Sequence, residues 1–370
     1  MRVSFEEGLR LFQHAPIEEL QAQAQAIRFQ KHPEKIVTFV LDSNPNYTNI
    51  CDIDCNFCAF YRKKGAKDSY MKSPEEVAQH FEFARKAAIK TVLLQGGVHE
   101  GITVEYLASL VRLARERYPD IHPHFFSAVE IWNAAKVSNM TIRAALQALW
   151  NAGQRTIPGG GAEILSERVR LAISPKKIHP GGWLEVHTTA HEIGFITTAT
   201  MMYGHIEEPI DIVEHLETLR TAQDRTQGFS SFIPWSYKRT KTALRRTVKH
   251  WAGVDAYFRI LAFSRIYLDN FAHIGSSWFS EGKETGIQSL RYGADDFGGT
   301  ILEENVHRAT DFISKTDHNG MLQMIRAAGF EPAQRDSFYA IIRTYEGIDA
   351  VDVPLEGRVQ EPDHMPILTT

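Results

Sequence analysis

Residues 51–62 read CDIDCNFCAFYR, and the apolar run IVTFVLD (36–42) leads towards them. Cys51, Cys55 and Cys58 are the only cysteines in 370 residues, and all three fall in this one short stretch. A disulfide would leave one thiol over, and closing so short a loop would stabilise little. Three converging thiolates suit a soft centre, either zinc or an iron–sulfur cluster. A structural zinc takes four ligands, so one of the 16 histidines would have to join. A four-iron cluster ordinarily takes four cysteines, so three leave one iron open, and an open position marks a catalytic metal.

Outward from this stretch the chain alternates. Residues 4–30 read as an amphipathic helix, with Ser4 and Glu7 at capping-box spacing. IVTFVLD is a continuous β-branched and apolar run, the pattern of a strand covered on both faces. Further strand-like runs follow at TVLLQGG (91–97), HPHFFSA (122–128), RTIPGGG (155–161), FITTATMMYG (195–204), FSSFIPWS (229–236), NFAHIGSSW (270–278) and DDFGGTI (295–301). Helical patterns fill the intervals, among them 73–88, with Pro74 in its first turn, and 209–226. Eight strands alternating with helices predict a (β/α)8 TIM-type barrel. An open doubly wound sheet is the alternative, and the lack of G-x-G-x-x-G after the first strand weakens a dinucleotide-binding form of it. The expected division is an N-terminal helical segment (1–35), the barrel (36–310) and a C-terminal helical extension packing on it (311–370).

Hydrophobic residues make up 43% and charged residues 23%, the composition of an ordinary globular protein. A net charge of −4 gives no reason to expect a nucleic-acid partner. No apolar run reaches the ~18 residues a membrane span needs, and MRVSFEEGLRLF lacks a signal-peptide core. A cytoplasmic location is expected, where thiols stay reduced.

Barrel enzymes carry their sites at the C-terminal ends of strands. Reading there finds Gln95–Gly97, Ser127 with Glu130, PGGGAE ending in Glu163, His205 with Glu207, Trp235 to Arg239, and Asp295 with Asp296. Each has a plain structural reading: a tight turn, a carboxylate at a helix start, a solvated basic face, a satisfied histidine. Their shared placement at one rim is what makes them candidates.

C-x3-C-x2-C with an aromatic, Phe57, before the last cysteine resembles the cluster motif of the radical S-adenosylmethionine (SAM) enzymes. The resemblance implies a [4Fe–4S] cluster on Cys51, Cys55 and Cys58, with SAM on the fourth iron and cleaved there to a 5′-deoxyadenosyl radical. It implies SAM contacts for Phe57, Gly96, Gly97, Ser127 and Glu163. The blocks LLQGGVH, IPGGGAEIL, TTATMMYGHIE and DFGGTILEENVHRA extend the similarity over most of the chain. AISPKK (172–177) and FIPW (232–235) narrow it to the cyclic dehypoxanthine futalosine synthases of the futalosine route to menaquinone. Aminofutalosine synthase and the FO synthase subunit share CAFYR and stay open as alternatives, as does a non-catalytic zinc or iron–sulfur protein.

For that subfamily the radical removes the ribose C4′ hydrogen of dehypoxanthine futalosine. The C4′ radical closes onto the benzoate ring, and loss of an electron and a proton restores aromaticity. Tyr61, Arg62, Trp235 and Arg239 are the expected substrate wall, with Arg62 or Arg239 meeting the carboxylate, since arginine binds carboxylates bidentately and an unpaired one is costly to bury. For the proton, His205 after the fifth strand is the expected base, since a neutral imidazole can accept it near pH 7, with Asp296 orienting a ribose hydroxyl or standing in as base. The resemblance also implies an electron donor such as flavodoxin or ferredoxin. Relatives are expected to carry an arginine near Thr188.

Overall fold

The run leading to the cysteines is a strand, as its unbroken apolar pattern predicts. The computed structural model describes residues 2–249 and 252–345. In it β1 (Ile36–Val40) continues as β2 (Asp42–Ser43), followed by β3 (Thr91–Val92), β4 (His122–Pro123) and β5 (Thr156–Ile157). Then come β6 (Ile196–Tyr203), β7 (Phe229–Ser236), β8 (His273–Ile274) and β9 (Asp296–Gly299). All eight strand-like runs therefore contain a strand, with helices between them.

Pairing is parallel from β2 through β3 to β4, from β5 through β8, and between β9 and β1. A parallel bridge from Gly275 to Asp296 joins β8 to β9. Between β4 and β5 side chains span the seam instead of a backbone ladder among the described residues. Gln154 Nε2 donates to Phe125 O at 2.7 Å, and Thr156 Oγ1 lies 2.7 Å from both His122 and His124. The result is the TIM-type wall that alternating strands and helices predict.

Two expectations change. The N-terminal helix is two helices, Phe5–His14 and Ile17–Lys31, parted at Pro16, which has no N–H to carry one continuous helix through. The C-terminal extension is not only helical. Helix His318–Ala327 leads to β10 (Glu331–Arg335) and β11 (Ile341–Thr344), and β10 pairs parallel with β1 from Ile36–Glu331 to Phe39–Gln334. Residues 346–370 of that extension lie outside the described residues.

Backbone parity locates β10. Thr38 N donates to Asp295 O and Leu302 N to Asp42 O, so even-numbered residues of the first strand face β9. Glu331 N donates to Lys35 O, and Leu93 N to Ser43 O, so odd-numbered residues serve β10 below and β3 above. β10 is thus wedged beside β1 at the N-terminal end of the barrel. Phe39 faces the outer layer, its ring 5.7 Å from His318 and 5.9 Å from Tyr345. By the period of two, Thr38 and Asp42 point inward.

The wedge closes the barrel floor with charge. Arg335 binds Asp296 through Nε at 2.5 Å and Nη2 at 2.8 Å, and Thr38 Oγ1 donates to the same carboxylate at 2.6 Å. Next to it Asp295 pairs with Arg265 and His273, and its donor atoms lie within 4.8 Å of those of His32 and His273. Burial alone would raise the Asp295 carboxyl, but Arg265 and the two histidines hold it well below the usual carboxylate range.

Candidate active site

The cysteine loop leaves β2 and is anchored at every side. Cys51 N donates to Arg62 O at 3.0 Å, and Arg62 N to Asn49 O at 2.7 Å. Asp52 N reaches Val98 O at 2.8 Å, and Asn56 N reaches Ile173 O at 2.9 Å. Leu244 N donates to Asn56 O at 2.8 Å, so the segment after β7 also docks on the loop. Asp54, between the first two cysteines, takes φ 46°, a sharp corner in the loop.

All three thiols are free and half-buried as residues. Burial pushes Cys55 up to about 12 and raises Cys58, an effect offset at Cys58 by the Tyr61 and Phe60 N–H groups aimed at it. Thiols in such a setting become thiolates only beside a strong positive centre. Three of them, one with backbone N–H groups aimed at its sulfur, fit an iron–sulfur cluster, whose sulfurs take such hydrogen bonds.

Gly97 explains itself by packing. A Cβ there would stand 2.2 Å from Ile50 O and 2.9 Å from the Cys51 Cβ, so only glycine lets the turn after β3 lie against the cysteine loop. Gly96 N donates to Glu130 Oε1 at 2.9 Å. The buried Glu130 carboxylate also accepts from Tyr47 Oη, Ser127 N and Ser127 Oγ, each at 2.7 Å. Burial still raises it to about 7. Ser127 therefore caps its helix through Glu130, and its hydroxyl hydrogen is committed there.

After β5, Gly159 N donates to Thr198 Oγ1 at 2.8 Å, and Arg170 holds the Gly161 and Ala162 carbonyls. This sets Glu163, at φ 46°, in an ion pair with buried Lys177. Lys177 Nζ also lies 5.3 Å from the centre of the Phe57 ring. Burial would lower the lysine, but Glu163 and Cys55 together raise it.

A cavity of about 320 Å³ opens beside Cys55, Cys58 and Tyr61, and Lys241, Arg245 and Arg246 line its other side. Trp235 is half-buried on β7, its ring 5.7 Å from His307. Arg239 is half-exposed and makes no ion pair among the described residues.

Three expected placements do not hold. Arg62 is not a free cation: Nη1 donates to the carbonyls of Ala59 (3.0 Å), Phe60 (3.2 Å) and Tyr61 (2.9 Å), and Nε to Asp68 (2.5 Å). It is the internal tie of the cysteine loop. His205 is fully enclosed: Nε2 donates to Met202 O at 3.0 Å, and Nδ1 accepts from Ile206 N at 2.8 Å. Nδ1 also lies 3.0 Å from Glu207 Oε2, so both ring nitrogens face protein partners. Asp296 opens β9 rather than following it, and Arg335, Thr38 and Gly298 saturate it at the floor. Thr188 Oγ1 turns back to Leu184 O at 2.9 Å within its own helix.

Sequence reading missed Lys177 and Arg170, and it placed Glu130 at the rim without giving it a role. Glu130 carried a signal, since Ser127 and Glu130 have capping-box spacing. Lys177 closes AISPKK, a stretch noted for similarity rather than chemistry. Arg170 lies on a short helix with nothing in its pattern to mark it.

Residues 45–219 match the radical SAM superfamily, and residues 226–348 match the CofH/MqnC C-terminal region. The chain is 40% identical over 351 residues to a cyclic dehypoxanthine futalosine synthase of Halalkalibacterium halodurans, covering 95% of this chain and 94% of that one. It is 36% identical over 357 residues to an aminodeoxyfutalosine synthase of Thermus thermophilus, covering 94% and 95%. It is 37% identical over 314 residues to a 5-amino-6-(D-ribitylamino)uracil–L-tyrosine 4-hydroxyphenyl transferase of Methanopyrus kandleri, covering 84% and 85%. Among solved structures, methylornithine synthase superposes with a TM-score of 0.70 at 15% identity, over 90% of this chain and 95% of that one, which speaks to the fold alone. No helix among the described residues is long and apolar enough to cross a membrane. With a cysteine loop suited to a [4Fe–4S] cluster and relatives of these names along nearly its whole length, the chain belongs to the radical SAM superfamily, as an enzyme of the futalosine and menaquinone family that works on a small molecule with a cluster and SAM.

Proposed function

We propose that the protein is an oxidative cyclase that converts dehypoxanthine futalosine to its cyclic product. The observation that carries this reading is the 40% identity to a cyclic dehypoxanthine futalosine synthase over 95% of the chain. When bound, the cluster and SAM supply the 5′-deoxyadenosyl radical that takes the C4′ hydrogen. Cys51, Cys55 and Cys58 would hold the cluster. Gly96, Gly97, Ser127, Glu163 and Phe57 would bound the SAM side, with Lys177 and Glu130 positioning Glu163 and the glycine turn. Tyr61, Trp235 and Arg239 would form the substrate wall, with Arg239 meeting the benzoate carboxylate. A carboxylate entering a dry pocket unpaired costs several kcal/mol, so a cation there has a physical reason.

Residues 36–310 would form most of the catalytic unit, with 1–35 packed on it and β10 completing its floor. A flavodoxin or ferredoxin in the cytoplasm would supply the electron. The test is anaerobic reconstitution with SAM, a reductant and dehypoxanthine futalosine, followed by product identification. Cyclic product is expected. Aminodeoxyfutalosine formed from that enzyme's substrate instead would favour the second reading, which the 36% identity to the Thermus enzyme supports.

A further inference from the structure

With His205 enclosed and Asp296 locked to Arg335, the inner wall holds a different carboxylate nearer the mouth. Asp42 opens β2, the continuation of the first strand, and by the period of two faces inward on the same side as Thr38. It is 4% exposed. Oδ1 accepts from Ile301 N at 2.6 Å and stands 3.5 Å from Thr300 Oγ1. Oδ2 takes no hydrogen bond from a described residue. The carboxylate rests in the notch left by Gly299, where a Cβ would lie 2.1 Å from both oxygens. The glycine pair of DFGG thus has a use: it leaves bare backbone against which Asp42 is fixed in one orientation.

The charges around it do not balance. Arg335 from β10 is the cation near Asp42, and Asp296 from β9 already engages it with two hydrogen bonds. Arg335, Asp296 and Asp42 together carry one net negative charge, and no ion pair to Asp42 occurs among the described residues. Burial raises the carboxyl to about 7, with Asp296 adding to the rise, while Ile301 N–H, Arg335 and Thr300 oppose it. A buried carboxylate with one oxygen unserved favours a ligand that brings hydroxyl donors.

We propose that Asp42 is the substrate-binding residue that accepts hydrogen bonds from the pentose hydroxyls. This rests on the cyclase reading above. Orientation of the sugar by a fixed acceptor would hold C4′ in line for hydrogen removal, the step most sensitive to small displacements.

The experiment compares dehypoxanthine futalosine with its 2′-deoxy and 3′-deoxy analogues, in wild type and Asp42→Asn, reading KM and kcat separately. Wild type should lose about 10- to 100-fold in affinity for at least one analogue, the range for a hydrogen bond to a charged group. Asp42→Asn, whose amide oxygen accepts without charge, should discriminate clearly less than wild type, while its SAM affinity stays near wild type. A pH series on wild type alone needs no variant to fold. Discrimination against the deoxy analogue should shrink as pH falls through about 7, where Asp42 gains a proton. Discrimination undiminished in Asp42→Asn, or unchanged with pH in wild type, overturns the proposal. A wild type that ignores dehypoxanthine futalosine but turns over another pentose-bearing substrate overturns the cyclase reading instead. The same deoxy comparison on that substrate then decides for or against Asp42.

Discussion

The two ends of the barrel treat buried carboxylates in opposite ways. At the floor, Asp295 and Asp296 each face an arginine, Arg265 and Arg335. Higher up, Asp42 on the inner wall and Glu130 at the mouth have only N–H and O–H donors for direct partners. Asp295 accordingly stays ionised well below the usual range, whereas burial lifts Glu130 and Asp42 to about 7. A cation offsets the desolvation of a carboxylate, and neutral donors offset only part of it. The floor is built to stay shut. The wall above it keeps charge and acceptor capacity in reserve for ligands, the kind of site where local rules of stability give way to function.

The sharpest break between the two ends is expected from the thiols. Alanine at Cys51, Cys55 or Cys58 should abolish iron incorporation and SAM cleavage, with little change in the unfolding midpoint. A large stability loss in the cluster-free protein would make the loop part of the core instead. Arg335→Met should do the reverse, costing about 3–5 kcal/mol because Asp296 is left charged and buried. Denaturant unfolding measures that, and Asp296→Asn on top of it should restore part of the loss. No recovery in the double variant would mean that Arg335 acts by packing alone.

Gly97→Val sharpens the comparison within the mouth. Its Cβ would meet Ile50 O at 2.2 Å, so the cysteine loop must shift, at about 1–3 kcal/mol for overpacking. Iron content and SAM affinity should fall together. Loss of SAM affinity with full iron content would place the clash on the SAM side alone. Glu130→Gln is the mildest change, on the order of 1–3 kcal/mol, because an amide cannot accept from all the donors that converge on it. Wild type carries a carboxyl whose folded pKa exceeds the ordinary 4.5, so this group weakens the fold as pH rises from there to about 7. Glu130→Gln should lack that slope. An equal slope in both would assign it to Asp42.

The strands were legible because each is covered on two faces and therefore reads as an apolar run. β7 fills its predicted span, Phe229–Ser236, to the residue. β10 was invisible for the opposite reason. EPAQR carries a proline and three polar or charged residues, and its arginine is inside the barrel because Asp296 awaits it. Hydropathy cannot register a residue buried by charge. The cysteine loop was legible through its spacing, which is local chemistry. Asp296 was misplaced because the run DDFGGTI was read as ending where it begins: a strand's polar residue at its first position belongs to the floor, and at its last to the mouth. Asp42 shows the same rule in reverse, since it closed an apolar run and was counted as part of the strand.

The wedge has a consequence for how the chain is made. Ile36 pairs with Glu331, so the first strand waits for nearly the last described one before its lower edge is covered. At synthesis rates of about 5–20 residues per second, that wait is roughly 15–60 s. Throughout it Asp296, once synthesised, has no arginine, and β1 presents an unpaired edge, the feature through which strands join the wrong neighbour. Contacts this far apart in sequence also slow folding from the denatured state. The cysteine loop depends on partners up to Leu244 and can take shape well before the floor closes. The nascent protein therefore has a metal-binding mouth before it has a closed floor.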